Sequence, residues 1–431
     1  MYFHSGNDGY IDFLIFVEHK DRELEVACTL AHMFELEGYS VCVASSIYHQ
    51  IPALLKVKPK VLITPFTGFG KGSVGELFYS AYGDSITFVN LNYEQFISSW
   101  KGSYKTSIHP FSKNKQIQLV WGEYFKDELC NNGVNINNIY VTGRPSLSLV
   151  ALKYRAPSKN ELKFFDATFV NKRICFIALT DGLAFIGKEK VDFIIKNGGE
   201  RKGLEAHVEY IKKNISLMFV DIVDEANKNE DILFVMRPHP SIPESAYYKL
   251  FKELDLHIPT NILITKESNA YWWLSNSDWF VTNYSTLCLE AKVLGVKSFL
   301  YERWSKADVE EYWYTKSATK VSSISEVLSY DGGRIEYADE DANYYIDFEK
   351  DGLKKTVEVA SMFLCNNEFH PIRNRYLVLL DNSKRMLGSL IRNMYVKIGF
   401  VPFGKVSKGL LKDYFNSEDV VKLLKGMKNE V

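Results

Sequence analysis

The sequence predicts an α/β protein of two domains, each built on a parallel sheet with crossover helices. Three observations carry this. The chain has 431 residues, about twice what one hydrophobic core organises, so two domains of roughly 150 to 200 residues are expected. Short apolar runs bounded by turn residues recur, with segments of helical spacing between them, which is how doubly buried strands and their crossovers are written. Hydrophobic residues make up 46% and charged residues 24%, proportions of a chain that folds throughout.

Taken in order, residues 12–18 (DFLIFVE) read as a buried strand, 23–36 have helical spacing and 40–45 (SVCVAS) form a second strand, one βαβ unit. Runs at 60–64, 86–90, 118–121 and 138–142 continue the sheet, giving a first domain of residues 1–152. Residues 153–171 are polar and contain Pro157 and Ser158, as a linker does. The second domain, 172–340, opens with a strand at 173–179; a long helix follows over about 204–227, then a strand at 232–236 (ILFVM) that Arg237-Pro238 cuts off. Strands at 262–265, 279–282 and 298–301 follow, with a helix at 286–294. Residues 341–431 read as a helical tail, and no internal repeat appears.

Charge and cysteine usage narrow the class. The formal net charge is −1, yet residues 371–431 carry 12 Lys and Arg against 5 Asp and Glu. In stretches such as 384–392 (KRMLGSLIR) the bases alternate with large apolar residues, a surface of the kind that binds anionic headgroups. The alternative is a set of helices packing back on the first domain. The six cysteines are scattered in apolar runs without CxxC pairs, as reduced core thiols of a cytoplasmic protein are. No start resembling a signal peptide and no membrane-length apolar run occurs. Cytoplasmic residence is therefore expected, with the inner face of the plasma membrane as the place where the basic surface would act. No basic motif with interleaved stacking aromatics points to nucleic acid, and no His/Asp/Glu spacing points to a metal.

Chemistry concentrates after the strands. Arg237-Pro238-His239-Pro240-Ser241 follows ILFVM directly; in an open parallel sheet, ligands bind beyond the carboxyl ends of strands. Two prolines stiffen the turn, and Arg237 and His239 both donate to phosphate oxygens; the plain alternative is a rigid surface turn. In residues 279–301 (WFVTNYSTLCLEAKVLGVKSFLY) a hydroxyl-rich turn precedes a helix, so Ser285 and Thr286 combine hydroxyls, free amides and the positive helix end into an anion site, or simply cap the helix. Glu290, one turn on, is suited to ribose hydroxyls or to solvent. Asp181, in Leu179-Thr180-Asp181-Gly182, ends a strand where it would bear on a reacting sugar, or marks a turn. Glu94, after the strand at 86–90, is a candidate base or a salt-bridging loop residue. The loop of residues 64–72 (TPFTGFGKG) lacks the spacing of a P-loop and reads as an acceptor-binding loop.

Three stretches together resemble the bacterial surface-carbohydrate transferases of the GT-B fold: capsule and lipopolysaccharide Kdo transferases, sialyltransferase-like enzymes with "HP" and "S-S/T" motifs, and the polyglycerolphosphate polymerases of teichoic acid synthesis. The stretches are Arg237-Pro238-His239-Pro240; Asn283-Tyr284-Ser285-Thr286 with Glu290-Ala291; and Val120-Trp121-Gly122-Glu123-Tyr124 followed by Val141-Thr142-Gly143-Arg144-Pro145. In the last, Arg144 replaces the usual Asn. The resemblance implies two Rossmann-like domains with parallel sheets facing across a cleft, plus C-terminal helices. It implies that His239, Ser285 and Thr286 hold a nucleotide phosphate, that Glu290 holds ribose, that Asn283 belongs to the substrate-binding set, and that Glu94, Asp181 and His239 are the catalytic candidates. Its motif pair favours a cytidine donor, and a CMP-linked acid would offer a carboxylate to Arg237 or Arg144. The expected partners are a nucleotide-sugar donor and a glycan or lipid-linked glycan acceptor, with no further cofactor. Rival expectations are a CDP-polyol phosphotransferase, a sugar-nucleotide 2-epimerase and a non-catalytic scaffold.

Overall fold

Strand β2 (Tyr10–Val17) shows why the first sheet is interior. Phe13, Ile15 and Val17 face one core while Leu14 and Phe16 face another, the two-sided burial that parallel strands require. The computed structural model describes residues 2–3, 9–66, 73–95, 109–154, 162–163, 165–180, 182, 184–185, 188–196, 201–240, 242–305, 312–316, 318–330, 343–364, 373–398, 411 and 413–427. They divide into two compact units, one formed by residues 1–96, 103–149 and 343–431 and the other by residues 150–342.

In the first unit, β1 (Tyr2–Phe3), β2, α1 (Lys20–Leu36), β3 (Val41–Ser45), α2 (Gln50–Lys56), β4 (Lys58–Thr64), α3 (Val74–Tyr82), β5 (Thr87–Asn90), α4 (Pro110–Asn114), β6 (Ile117–Val120), α5 (Glu123–Asn131), β7 (Ile139–Val141) and α6 (Pro145–Lys153) follow in sequence, α6 running on into the second unit. The sheet order is β1-β3-β2-β4-β5-β6-β7. Only β1 is antiparallel among the described pairings.

The second unit carries β8 (Arg173–Ala178), α7 (Lys188–Lys196), α8 (Arg201–Lys228), β9 (Ile232–Arg237), α9 (Glu244–Glu253), β10 (Ile262–Ile264), α10 (Ala270–Ser275), β11 (Trp279–Thr282), α11 (Leu287–Leu294), β12 (Lys297–Tyr301), β13 (Thr319–Val321) and α12 (Ile324–Ser329). Its six strands are all parallel, in the order β10-β9-β8-β11-β12-β13. Leu162 and Phe169, inside the stretch that reads as a linker, are buried against Phe176 and Trp273 in this unit's core. Two aromatic or aliphatic anchors are enough to pin a polar segment that composition alone marks as a connector.

The chain then returns to the first unit. Helices α13 (Gly352–Ser361), α14 (Arg375–Asp381), α15 (Ser383–Ile398) and α16 (Ser417–Met427) belong to it. Leu353, Val357 and Ala360 of α13 and Val420 and Leu424 of α16 share a core with Leu24, Ala27 and Leu30 of α1. Val378 and Leu379 of α14 enter the opposite core beside Leu54 and Phe78. The returning segment is seated on glycines. A Cβ on Gly122 would lie 2.6 Å from the Tyr345 carbonyl, one on Gly143 3.0 Å from the Asp347 oxygen, and one on Gly352 2.7 Å from the Arg144 backbone. No described helix is long and apolar enough to cross a membrane.

Candidate functional site

In the second sheet the strand order reverses between β8 and β11, which makes their carboxyl ends the topological switch point where open α/β sheets bind ligands. Strand β11 ends in Thr282, whose hydroxyl donates to the Ala178 carbonyl of β8 at 2.8 Å. The turn that follows is clamped by Asn283. Its side-chain oxygen accepts from the amides of Thr180 and Tyr284, both at 2.9 Å, and its nitrogen donates to the Thr180 carbonyl at 3.4 Å. Tyr284 is held in turn by ring contacts with His207 of α8 at 5.2 Å and Tyr312 at 5.7 Å. The turn therefore presents its amides from a fixed frame.

Helix α11 starts one residue later than the sequence suggests, at Leu287, with Thr286 in helical conformation as its N-cap. The Ser285 amide donates to the Thr282 hydroxyl at 3.1 Å, and the Ser285 hydroxyl accepts weakly from the Leu287 amide at 3.3 Å. The Thr286 side chain makes no capping bond, so hydroxyl and helix end remain available to an anion. Glu290 is buried, one turn into α11.

On the other flank of β8, Arg237 is the last residue of β9 and pairs with Ala178. The Arg237, His239 and Ser285 segments thus leave the same edge, with β9 and β11 two strand spacings apart, about 10 Å. The proline turn is tied to the segment after β10: an Arg237 nitrogen donates to the Glu267 carbonyl at 3.0 Å, and Lys266 Nζ donates to the Pro240 carbonyl at 2.8 Å. The Ile242 amide closes the turn on the His239 carbonyl at 2.8 Å. The Arg237 bond ties that side chain to the segment after β10, beside the turn that carries half-buried His239. Asp181 and Ser241 lie outside the described residues.

The first sheet has its own switch point between β2 and β4. A cavity of about 880 Å³ opens there, lined by Glu18, Ser46, Thr64 and Ser73 and, from α15, by Lys384, Gly388 and Arg392. Glu18 of this lining belongs to a set of titratable groups at the start of α1. Burial raises the Glu18 carboxyl above its ordinary range. Burial also pushes Glu23 up to about 7, although its carboxylate accepts from the amides of Glu18 at 2.7 Å and His19 at 3.2 Å. Arg22 lies 2.9 Å from Glu94 and 3.8 Å from Glu23. His19, 3.3 Å from Asp413, is raised chiefly by that hydrogen bond.

Glu94 thus enters the site as the ion-pair partner of Arg22. Its loop is fixed by buried amides: Asn90 donates to Asn92 at 2.8 Å and to Gln118 at 2.9 Å, and Gln95 accepts from the Trp121 amide at 3.0 Å. Arg144 belongs to the first unit, with its guanidinium 4.8 Å over the Trp121 ring beside the glycine seam. The loop read as acceptor-binding is described only to Phe66; residues 67–72 lie outside the described residues. Glu18 is the carboxylate that sequence reasoning passed over. Its signal was its place as the residue that ends the first apolar run, at the entry to the first crossover.

Among the described residues no group of three or more His, Cys, Asp or Glu is arranged to hold a metal ion. The described cysteines are free, and burial raises the Cys42 thiol to about 12, which leaves it inert as a nucleophile.

No protein-family model matches the chain, and no curated protein matches it in sequence. Solved structures do. The chain is similar to MnaA of S. aureus solved with UDP, at 9% identity and a TM-score of 0.51, covering 83% of this chain and 98% of that one. A UDP-N-acetylglucosamine 2-epimerase matches at 11% identity and a TM-score of 0.50, covering 85% and 100%. The wall teichoic acid polymerase TagF matches at 11% identity and a TM-score of 0.45, covering 82% and 89%. At these identities the likeness is one of fold: two parallel-sheet α/β units of the GT-B class, as the sequence predicts.

Proposed function

We propose that the chain is an enzyme that binds a nucleotide-activated sugar at the β8–β11 edge and transfers the sugar to a surface-polysaccharide acceptor. The observation that supports this reading is the convergence of the His239 turn and the Asn283–Thr286 turn on one carboxyl edge, either side of β8. His239, the Ser285 hydroxyl and the amino end of α11 would take up the charge of the leaving phosphate as the sugar gains oxocarbenium character, the electrostatic term that dominates such steps. Glu290 would serve the ribose. Within the first unit, burial raises the Glu18 carboxyl and Glu94 pairs with Arg22 at 2.9 Å, and both carboxylates are candidates for proton handling.

The motif pair His239-Pro240 and Ser285-Thr286 favours a CMP-linked 2-keto acid sugar, Kdo or a nonulosonic acid, as donor. A CDP-polyol would use the same phosphate grip with attack at phosphorus. Sugar-nucleotide 2-epimerisation is the second reading, since two solved structures of this fold belong to MnaA and a 2-epimerase. Thermal-shift measurements with CMP, CDP, UDP and GDP test the shared premise. A nucleotide at about 100 times its dissociation constant stabilises the folded state by about 2.7 kcal/mol, and silence toward all four overturns the reading. Mass spectrometry then separates the chemistries: a glycosylated acceptor with released CMP, a polyol phosphate on the acceptor, or a product from UDP-N-acetylglucosamine formed without any acceptor.

A further inference from the structure

Helix α15 has three faces with different surroundings. One is internal: Ser389 is buried, Met386 packs against the core beneath it, and Asn393 donates to the Tyr48 carbonyl at 3.0 Å. A second, formed by Lys384, Gly388 and Arg392 at four-residue spacing, lines the cavity at the first sheet's switch point. The third is aliphatic and open to solvent. Leu387 is 58% exposed, Leu390 55% and Met394 56%, with Ile391 beside them, and α14 adds exposed Tyr376 and Leu380.

At about 100° per residue, the cavity-lining residues and the aliphatic residues occupy adjacent arcs of the helix, so the cations border the apolar strip. A contiguous strip of large aliphatic side chains on a water-soluble surface marks a contact site. The cations say with what. The buried Nε of Arg392 has no acceptor among the described residues, and of the two carboxylates that line the same cavity Asp381 pairs with Arg373 at 2.7 Å while burial raises the Glu18 carboxyl. Gly388 keeps the space between them clear, since even a Cβ there would only meet the Arg392 guanidinium at 3.7 Å. Two cations in a hollow whose carboxylates are one paired elsewhere and one raised by burial, flanked by hydrocarbon, complement an amphiphile with an anionic head.

We propose that α14 and α15 form an anionic-lipid site, in which the phosphate of a membrane phospholipid enters between Lys384 and Arg392 while Leu387, Ile391 and Met394 enter the acyl layer. The site shares its cavity with Glu18 but does not require the transferase reading. Such surfaces combine buried hydrocarbon with attraction to the anionic leaflet.

Sedimentation of the full chain with vesicles tests it. Binding is expected to mixed phosphatidylglycerol–phosphatidylcholine vesicles and to be weak with phosphatidylcholine alone. The double variant K384E/R392E should lower affinity for the anionic vesicles about tenfold or more, since each basic residue near such a surface contributes about fivefold. The triple variant L387S/I391S/M394S should reduce binding to background with an unchanged far-UV circular dichroism spectrum. Gly388→Leu, which fills the hollow while favouring helix, should remove the preference for anionic over neutral vesicles. Nucleotide-induced thermal shifts, read from the second unit, should persist in all three, so failure here is distinguishable from failure of the nucleotide reading. Equal binding to neutral vesicles, indifference to both charge and serine variants, or a self-association in sedimentation velocity that the serine variant abolishes would each overturn the proposal, the last by assigning the strip to a second copy of the chain.

Discussion

The two sheets share a plan and differ in what they place at the carboxyl edge. At β8–β11 the edge is built from amides, hydroxyls and a helix end, locked by Asn283 and by a proline turn tied to its neighbour. At β2–β4 it is built from Glu18, Arg22, Glu23, Glu94 and His19, partly buried and mutually coupled. Fixed dipoles suit a constant negative charge, such as a nucleotide phosphate, without titrating. Half-buried carboxyls suit an edge that takes up and releases protons. If the proposed reading holds, the first of these would be a gripping edge and the second a proton-handling edge.

Four perturbations break or sharpen this contrast. The largest effect is expected from His239→Ala: a fall of about 10² to 10³ in transfer rate, as for loss of one donor to developing charge, with the unfolding midpoint almost unmoved because the side chain is only half-buried. Steady-state kinetics beside differential scanning calorimetry measures both, and an unchanged rate would remove His239 from the gripping edge.

Next comes pH. Glu23 in the folded chain titrates near 7 against an ordinary 4.5, so the folded state binds its proton more tightly than the unfolded one. Its stability contribution is therefore complete below about pH 4.5, declines between about 4.5 and 7, and is gone above that, a loss of up to about 3 kcal/mol. Raised His19 acts in the same sense. Urea midpoints at pH 5 and pH 8 should show the decline, and Glu23→Gln should shrink it; an equal decline in the variant places the proton elsewhere.

Asn283→Ala leaves the part-buried amide of Thr180 and the buried amide of Tyr284 without their shared acceptor, which costs about 2 kcal/mol. Hydrogen exchange should rise at β8 and β11 and stay level in the first unit. The smallest effect is expected from Gly143→Ala, where φ is +77° and the added methyl would stand 3.0 Å from the Asp347 oxygen. That strain is worth about 1 to 2 kcal/mol, visible in the exchange of residues 343–352 and absent from nucleotide binding.

Much of the fold was legible because parallel strands are written as unbroken apolar runs. DFLIFVE, ILFVM and WFVT all became strands at the expected places. The residues of the candidate site at the β8–β11 edge were legible for a related reason: prolines and clustered hydroxyls are local signals. The proton-handling edge was not, because its character comes from contacts remote in sequence. His19 meets Asp413 across 394 positions, and Arg22 meets Glu94 across 72. Gly122 and Gly143 were visible as a motif, but their reason, the backbone of residues 345–350 pressed against them, is written more than 200 residues later. Helices α2 and α3 were missed because seven and nine residues give too few turns for a clear period.

The glycine seam has a consequence for synthesis. The second unit is almost contiguous in sequence, whereas the first is closed by helices that leave the ribosome after the second unit is complete. Until α13 and α16 arrive, the flank of α1 that they pack against stays uncovered by them, so the unit begun before the second is completed after it, and nascent chains stalled before residue 352 should be the ones that chaperones retain.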